Sequence, residues 1–183
     1  MGYRSAHARV ATALLAATAV ALTACTAVES EPSADGLHGH VAPVVEGADT
    51  GDWALTAWAV GAGEPIELGR TTTDEDGAFH LDPVTLPEDR ILLVEAAHGG
   101  AERADLVAVS ASDDLTELTL NERTTVAAAY GLAQFFGREL PSGENPGLAN
   151  ATAMAGNLAD PATGAYGEVL MTSPNAYETQ TLP

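Results

Sequence analysis

Short apolar segments separated by turn residues occupy the middle of the chain, from His40 to Leu120. None of them keeps the apolar spacing of an amphipathic helix over a useful length. Short strands at such intervals, bounded by Gly, Pro and Asp, are typical of β-sandwiches and barrels. The pattern predicts about seven strands and therefore a mostly β chain folded as an antiparallel sandwich. The expected strands are Val41–Val45, Trp53–Val60, Glu67–Thr73, Ala78–Leu81, Ile91–Ala97, Asp105–Val109 and Leu115–Leu120.

Two of these segments also indicate their place in the sheets. The segment from Trp53 to Val60 is apolar at both alternating sets of positions, as expected of a strand covered on both faces. The segment from Ile91 to Ala97 places Leu92, Val94 and Ala96 on one face, with Glu95 on the opposite face. We therefore expect both segments to be central strands.

A tight turn is predicted between the third and fourth segments. Asp74-Glu75-Asp76-Gly77 follows Thr73 and precedes Phe79. Asp followed by Gly is a strong hairpin signal, because Gly accepts a positive φ and Asp tolerates one. The sequence thus predicts a β-hairpin in which Phe79 and Leu81 share one face.

This hairpin motif carries a resemblance to a known family. The spacing of Thr73, Asp74, Gly77 and Phe79 resembles the Thr-Asp-x-x-Gly-x-Phe hairpin of carboxypeptidase regulatory-like domains, and the strand Leu93–Ala96 lies where that family has a characteristic strand. Those domains are transthyretin-like, Ig-type β-sandwiches, and they are similar to collagen-adhesin B-type repeats. The resemblance covers residues 40–120 and implies an accessory module without catalytic activity.

Two helices are expected in the remainder, residues 121–183. Apolar residues recur at helical spacing from Val126 to Phe136, Asn121 or Thr124 is suited to cap this helix, and Gly137 is suited to end it. The proposed apolar face consists of Val126, Ala129, Tyr130, Ala133 and Phe136, and Leu132 and Phe135 widen it. We expect this face to pack on the sandwich or on the second helix. That second helix is predicted over Pro146–Leu158. The ending at Pro183 leaves open whether the chain is a short protein or part of a longer one.

The N-terminus has the features of an export signal. Arg4 and Arg9 precede an apolar run of about thirteen residues, which is short for a membrane span of about 20 but suits a signal peptide. The run ends in Leu22-Thr23-Ala24-Cys25, which resembles the bacterial lipobox. The resemblance implies cleavage between Ala24 and Cys25 and lipidation of Cys25. The alternative is an ordinary secretory signal cut at a nearby site, with Cys25 incidental.

These assignments divide the chain into four parts and predict its location. Residues 1–24 are a lipoprotein signal peptide, residues 25–39 a flexible tether, residues 40–120 the sandwich and residues 121–183 the helical segment. The mature chain is expected at the cell membrane, held by its N-terminal lipid and facing the extracytoplasmic side.

The charge balance excludes one class of partner. The chain has 26 Asp and Glu residues against seven Arg and Lys, and all seven are Arg. Such a surface repels phosphate backbones, so we expect no nucleic-acid binding. Solubility explains this acidity, and salt adaptation or cation bridging are alternatives.

No residue pattern predicts an active site or a cofactor. Asp74 and Asp76 are weak calcium candidates, but a calcium loop in that register would have Pro83 where the bidentate Glu belongs.

The histidines His38, His40, His80 and His98 lack the helical spacing of a metal site and are interpreted as solvated, the first two within the tether. Ser110 and Ser112 lie near Asp113 and Asp114 without an evident histidine partner.

The aromatic residues Trp53, Trp58 and Tyr130 are expected in the core. If their side chains were exposed, they would instead be suited to stacking on sugars.

Three functions are compatible with these observations. The first is a lipid-anchored extracytoplasmic module that binds a protein or a polysaccharide through the sandwich loops. The second is a stalk or accessory domain of a larger exported protein. The third, which the sequence favours least, is a hydrolase.

Overall fold

A computed structural model describes residues 36–83, 85–112, 116–137 and 140–167. These residues form a mostly β fold with two sheets and two α-helices, which confirms the predicted fold class at that level. The strands are β1 (Leu37–Val41), β2 (Trp53–Val60), β3 (Ile66–Thr72), β4 (Ala78–Leu81), β5 (Ile91–His98), β6 (Leu106–Ser110) and β7 (Glu117–Leu120). The helices are α1 (Glu122–Gly131) and α2 (Gly147–Leu158), with a short 3₁₀ turn at Ala133–Phe135 between them.

The strands form a three-stranded sheet in the order β4-β1-β7 and a four-stranded sheet in the order β3-β2-β5-β6. All pairs are antiparallel except β1 and β7, which run parallel. The predicted antiparallel arrangement is therefore correct for every pair but this one. A parallel pair is possible here because β1 and β7 are far apart in sequence, so the chain between them is long enough to return to the same end of the sheet.

One hydrophobic cluster joins the two sheets. Alternate residues of each strand point into it, as the period of two requires. From the three-stranded sheet it contains Leu37, Val41, Phe79, Leu81, Leu118 and Leu120, and from the four-stranded sheet Trp53, Leu55, Ala57, Leu92, Val94, Ala96, Leu106 and Ala108. The two sheets thus pack face to face around this core.

A second cluster covers the opposite face of the four-stranded sheet. There Val60, Ile91, Leu93 and Val109 pack against residues of the two helices and the segments around them, namely Ala127, Ala128, Leu132, Leu148, Ala151, Ala155 and Ala159. Strand β5 is therefore covered on both faces along most of its length. Strand β2 is covered on both faces only towards Val60, since Ala54 is exposed and Thr56 and Trp58 are partly buried, so its prediction is confirmed in part. The result is three layers, with the four-stranded sheet in the middle.

The first strand begins earlier than predicted. It starts at Leu37, so His38 and Gly39 belong to a strand and not to a tether. Leu37 and Gly39 are buried, whereas Val44 and Val45 are exposed in the following loop. Pro43 cannot donate a hydrogen bond to a sheet, which is consistent with the strand ending at Val41.

Helix α1 is shorter than predicted, and the face that it packs against the rest of the protein is not the predicted one. Asn121, one of the two residues predicted to cap it, is its N-cap, and the Asn121 side chain accepts hydrogen bonds from the backbone N–H groups of Arg123 and Thr124. The helix ends at Gly131 instead of reaching Phe136. Its buried residues are Thr124, Ala127, Ala128 and Gly131.

Three apolar residues of α1, Val126, Ala129 and Tyr130, were assigned wrongly to the packed face. Leu132 and Phe135, assigned to the same face, do pack in the cluster beside the helices. Val126 is 66% exposed and Tyr130 is 68% exposed, while Phe136 lies beyond the helix and is itself exposed. The contact face is made of small residues, because these let α1 approach the sheet and α2 closely. Helix α2 agrees with its prediction to within one residue.

Candidate functional site

Asp74 organises the turn that the hairpin motif predicted. Its Oδ1 accepts hydrogen bonds from the backbone N–H groups of Asp76 at 3.0 Å and Ala78 at 2.8 Å. The N–H of Gly77 donates to the carbonyl of Asp74, and Gly77 has a φ of +84°. The Thr73 hydroxyl accepts from the N–H of Trp53. The tight turn is therefore confirmed, with Asp and Gly in the roles that the sequence indicated.

The strands on either side of this turn do not pair with each other. β3 pairs with β2 in the four-stranded sheet, and β4 pairs with β1 in the three-stranded sheet. The expectation of a β-hairpin is thus wrong. Phe79 and Leu81 instead lie in the core between the sheets. The turn therefore connects a strand of one sheet to a strand of the other. The motif Thr73, Asp74, Asp76, Gly77 and Phe79 is a structural crossover.

The acidic residues of the turn are not assembled into a metal centre. Asp74 uses its Oδ1 atom to hold the turn. Within residues 36–83, 85–112, 116–137 and 140–167, no group of three or more His, Cys, Asp or Glu side chains is arranged to hold a metal ion. Asp52, Asp74, Glu75 and Asp76 line a shallow surface depression with Gly51, Thr72 and Thr73.

The Asp74 turn yields a stability prediction. Asp74→Ala removes both hydrogen bonds from the carboxylate and should lower the free energy of unfolding by about 1–2 kcal/mol. Asp76→Ala, which changes the neighbouring exposed acid, should change it by less than about 0.5 kcal/mol. Urea denaturation of both variants measures the difference, and equal effects would contradict the role assigned to Asp74.

The loops fall into two groups, one at the end of the sheets where the chain enters β1 and one at the opposite end. The chain enters β1 at Leu37, which pairs with Leu81, so this end also holds the 82–90 loop. The 42–52 loop, the 73–77 turn and the 99–105 loop lie at the opposite end. There the N–H of Gly99 donates to the carbonyl of Asp52, and the N–H of Thr73 to the carbonyl of Trp53. We call this second group the distal loops.

The predicted processing residues Ala24 and Cys25 lie outside the described residues. So do Asp113 and Asp114, the acidic neighbours of Ser110. The Ser110 hydroxyl hydrogen-bonds to the backbone of Ser112 at 3.1 Å, which ties it to its own loop.

Three histidines share the outer face of the three-stranded sheet. His38 and His40 alternate with the buried residues of β1, and His80 lies on β4 directly across from His38. The His38 and His80 rings are 4.4 Å apart between centroids. Glu117 of β7 is the register partner of His38 on the other side. We call the surface formed by His38, His40 and His80 the histidine face. His38, His40 and Glu117 line a shallow depression there, and His80 is not among its lining residues.

Sequence reasoning missed the histidine face because it placed His38 and His40 in the tether. The signal was available in the alternation of Leu37, Gly39 and Val41 with the two histidines. A strand period of two puts residues i and i+2 on one face. That His80 lies beside His38 depends on the pairing of β1 with β4, which no local pattern indicates.

The aromatic residues are divided between core and surface. Trp53 is buried in the core between the sheets, as predicted. Trp58 is partly buried against the helical layer, and its Nε1–H donates to Glu95 Oε2 at 3.0 Å. Tyr130 is exposed, so its assignment to the core was wrong. Tyr166 is exposed as well, with the Arg123 guanidinium 5.0 Å from its ring centroid.

No helix in the part of the chain that the structure describes is long and apolar enough to cross a membrane. The sequence matches no protein-family model, and no curated protein is significantly similar to it.

Proposed function

We propose that this chain is a bacterial membrane lipoprotein, held on the extracytoplasmic side through Cys25, whose folded part is a non-catalytic binding module. The observation that carries the proposal is the placement of the chain's entry into the fold. Residues 1–36 lead into β1 at one end of the sheets, and the distal loops lie at the other end. A lipid on Cys25 would therefore leave the distal loops facing away from the bilayer.

The length of the connecting segment fits this role. Ten residues separate Cys25 from Gly36, and their extended reach is at most about 40 Å. Their Ser, Glu, Pro and Ala composition suits a spacer. The domain would stand close to the membrane surface and be free to present its far end to a partner.

A transthyretin-like fold of the carboxypeptidase regulatory-like type is part of the same proposal. Two features support it, namely seven short strands divided three and four between two sheets, and the burial of Phe79 after the Asp74–Gly77 turn. The parallel pairing of β1 with β7 and the crossover at residues 73–77 are the details on which the assignment can be tested.

The distal loops are the proposed contact surface. They carry the acidic residues Glu46, Asp49, Asp52, Asp74, Glu75, Asp76, Glu102 and Asp105 against the single base Arg103. Charge complementarity at an interface speeds encounter and selects partners of opposite sign. A protein with a basic surface is therefore the partner that these loops suit best. A polysaccharide is the other class of ligand, and this charge favours it less.

A pair of charge-matched variants tests the surface. The distal variant combines Asp52→Asn, Glu75→Gln and Asp76→Asn. The control variant makes the same three changes at the opposite end, as Asp82→Asn, Glu88→Gln and Asp89→Asn. All six side chains are exposed, and Asp52 and Asp89 both have a positive φ, which Asn tolerates.

Chemical crosslinking of intact cells, followed by mass spectrometry, gives the result. We expect a partner crosslinked to the wild type and to the control variant, and its loss from the distal variant. Equal crosslinking in both variants would exclude the distal loops. If the wild type forms crosslinks only within its own chain, the result would favour the stalk function over the binding function.

The anchor itself is tested by Cys25→Ser. Serine cannot accept the thioether-linked diacylglycerol, so the variant should incorporate no labelled fatty acid, whereas the wild type and a Thr26→Ser control should incorporate it. Two acyl chains give stable membrane attachment where one is marginal. Mass spectrometry of the wild-type N-terminus should find a lipidated Cys25. An unmodified mature N-terminus at another residue would overturn the anchor and favour an ordinary secretory signal.

A further inference from the structure

The histidine face places the imidazole rings of His38 and His80 next to each other, and no other described residue forms a hydrogen bond with either ring. His38 and His80 are register partners on antiparallel strands, so their Cβ atoms project to the same side about 4.5–5.5 Å apart. Both side chains are exposed, and neither hydrogen-bonds to another residue within the described ranges. Their ring nitrogens are therefore available to a ligand from solvent.

The spacing of the rings suits a shared metal ion. An imidazole nitrogen lies about 2.0–2.1 Å from a bound zinc ion, so two nitrogens on one ion are about 3 Å apart. The ring centroids are already 4.4 Å apart, and both residues are exposed. Neutral imidazole is the commonest protein ligand of Zn²⁺, Cu²⁺ and Ni²⁺.

The surroundings of the pair support the same chemistry. Glu117, the register partner of His38 on β7, can accept a hydrogen bond from the ring N–H that does not bind metal, and such an outer partner orients a ligating histidine. His40 lies about 6.7 Å along β1 on the same face, opposite Ala78, whose short side chain leaves the approach open. The acidic surface of the whole chain attracts divalent cations.

We propose that the histidine face binds one divalent first-row transition-metal ion, with His38 and His80 as its two protein ligands and solvent completing the coordination. The site needs only two protein ligands, which agrees with the observation that no third ligand side chain converges on the pair among the residues that the structure describes. It lies on a sheet face and not on the distal loops, so it is independent of the function proposed above.

Copper is the probe of choice, because Cu²⁺ binds nitrogen sites most tightly in the divalent series. The full chain is purified with a histidine-free tag on a Cys25→Ser background, so that no thiolate competes for the metal. His38→Asn and His80→Asn each remove one ligand. His98→Asn is the control at a histidine outside the pair, since His98 lies on β5 in the other sheet, where its ring packs on Trp53. Circular dichroism establishes that each variant folds.

Calorimetric titration with Cu²⁺ measures affinity, and electron paramagnetic resonance detects coordinated nitrogen. We expect one ion per chain with imidazole nitrogen in its spectrum. Loss of an outer-sphere partner lowers metal affinity by about 10–100-fold. His38→Asn and His80→Asn should each lower the affinity for Cu²⁺ by more than this, whereas His98→Asn should leave it unchanged. Unchanged affinity in either ligand variant, or an equal loss in His98→Asn, would overturn the proposal. An equal loss in His40→Asn would overturn the two-ligand assignment.

Discussion

Replacing Leu93 with alanine is expected to lower the free energy of unfolding by about 2–5 kcal/mol, the range for truncating a fully buried leucine. Leu93 lies on the central strand β5 and is 1% exposed, with its side chain in the cluster between the four-stranded sheet and the helices. The truncation leaves a cavity between two layers, and neither the sheet nor the helices can close it without losing other contacts.

Val126→Ala on α1 is the control for Leu93→Ala. It also removes part of an apolar side chain, but Val126 is 66% exposed, and the change should stay within about 0.5 kcal/mol. Urea unfolding followed by circular dichroism measures both. If Val126→Ala proves the more harmful, the face of α1 that packs on the sheet has been assigned wrongly.

Gly131→Ala and Gly156→Ala are expected to change stability in opposite directions. An alanine Cβ at residue 131 would lie 2.7 Å from the carbonyl oxygen of Ala151 and 2.9 Å from the Cβ of Ala155. Both distances are shorter than van der Waals contact, so the two helices must separate. Overpacking of this kind costs about 1–3 kcal/mol. At residue 156 the nearest atom is 3.9 Å from the new Cβ, and the gain in helix propensity should add up to about 1 kcal/mol.

The melting temperatures of the two glycine variants provide the measurement. The same chemical change is made on each of two packed helices, so a difference in sign isolates the steric contact from helix propensity. A rise in melting temperature for Gly131→Ala would show that α1 and α2 are not held as closely as the structure places them.

Much of the local structure was predictable because it depends on neighbours in sequence. The bounds of β2 and β4, the cap at Asn121, the turn at Asp74–Gly77 and helix α2 all follow from side-chain period and from hydrogen bonds within a few residues. The strand β1 was displaced by several residues in the prediction. Its segment is short, and Gly39 interrupts its apolar pattern where the Phe79 side chain covers the backbone.

The candidate sites were predictable only in part. The residues of the crossover turn were identified from spacing alone, although the pairing of their strands was not. The histidine face depends on two separate strands, and the sequence separation between His38 and His80 hides it from any local pattern. The lipidation site at Cys25 remains a prediction from the sequence.

The sequence by itself determined six of the seven strands, the start of α1 and all of α2, since the alternation of apolar residues and the Asp, Asn and Gly signals act over a few residues. It did not determine the position of β1 or the end of α1. The tertiary structure alone decided three things: that β3 and β4 belong to different sheets, that β1 and β7 run parallel, and that α1 turns its small residues inward while Val126 and Tyr130 face solvent. Apolar periodicity cannot decide these, because burial depends on what approaches from the rest of the chain. At α1 that neighbour is α2, which packs so closely against Gly131 that only small side chains fit between them.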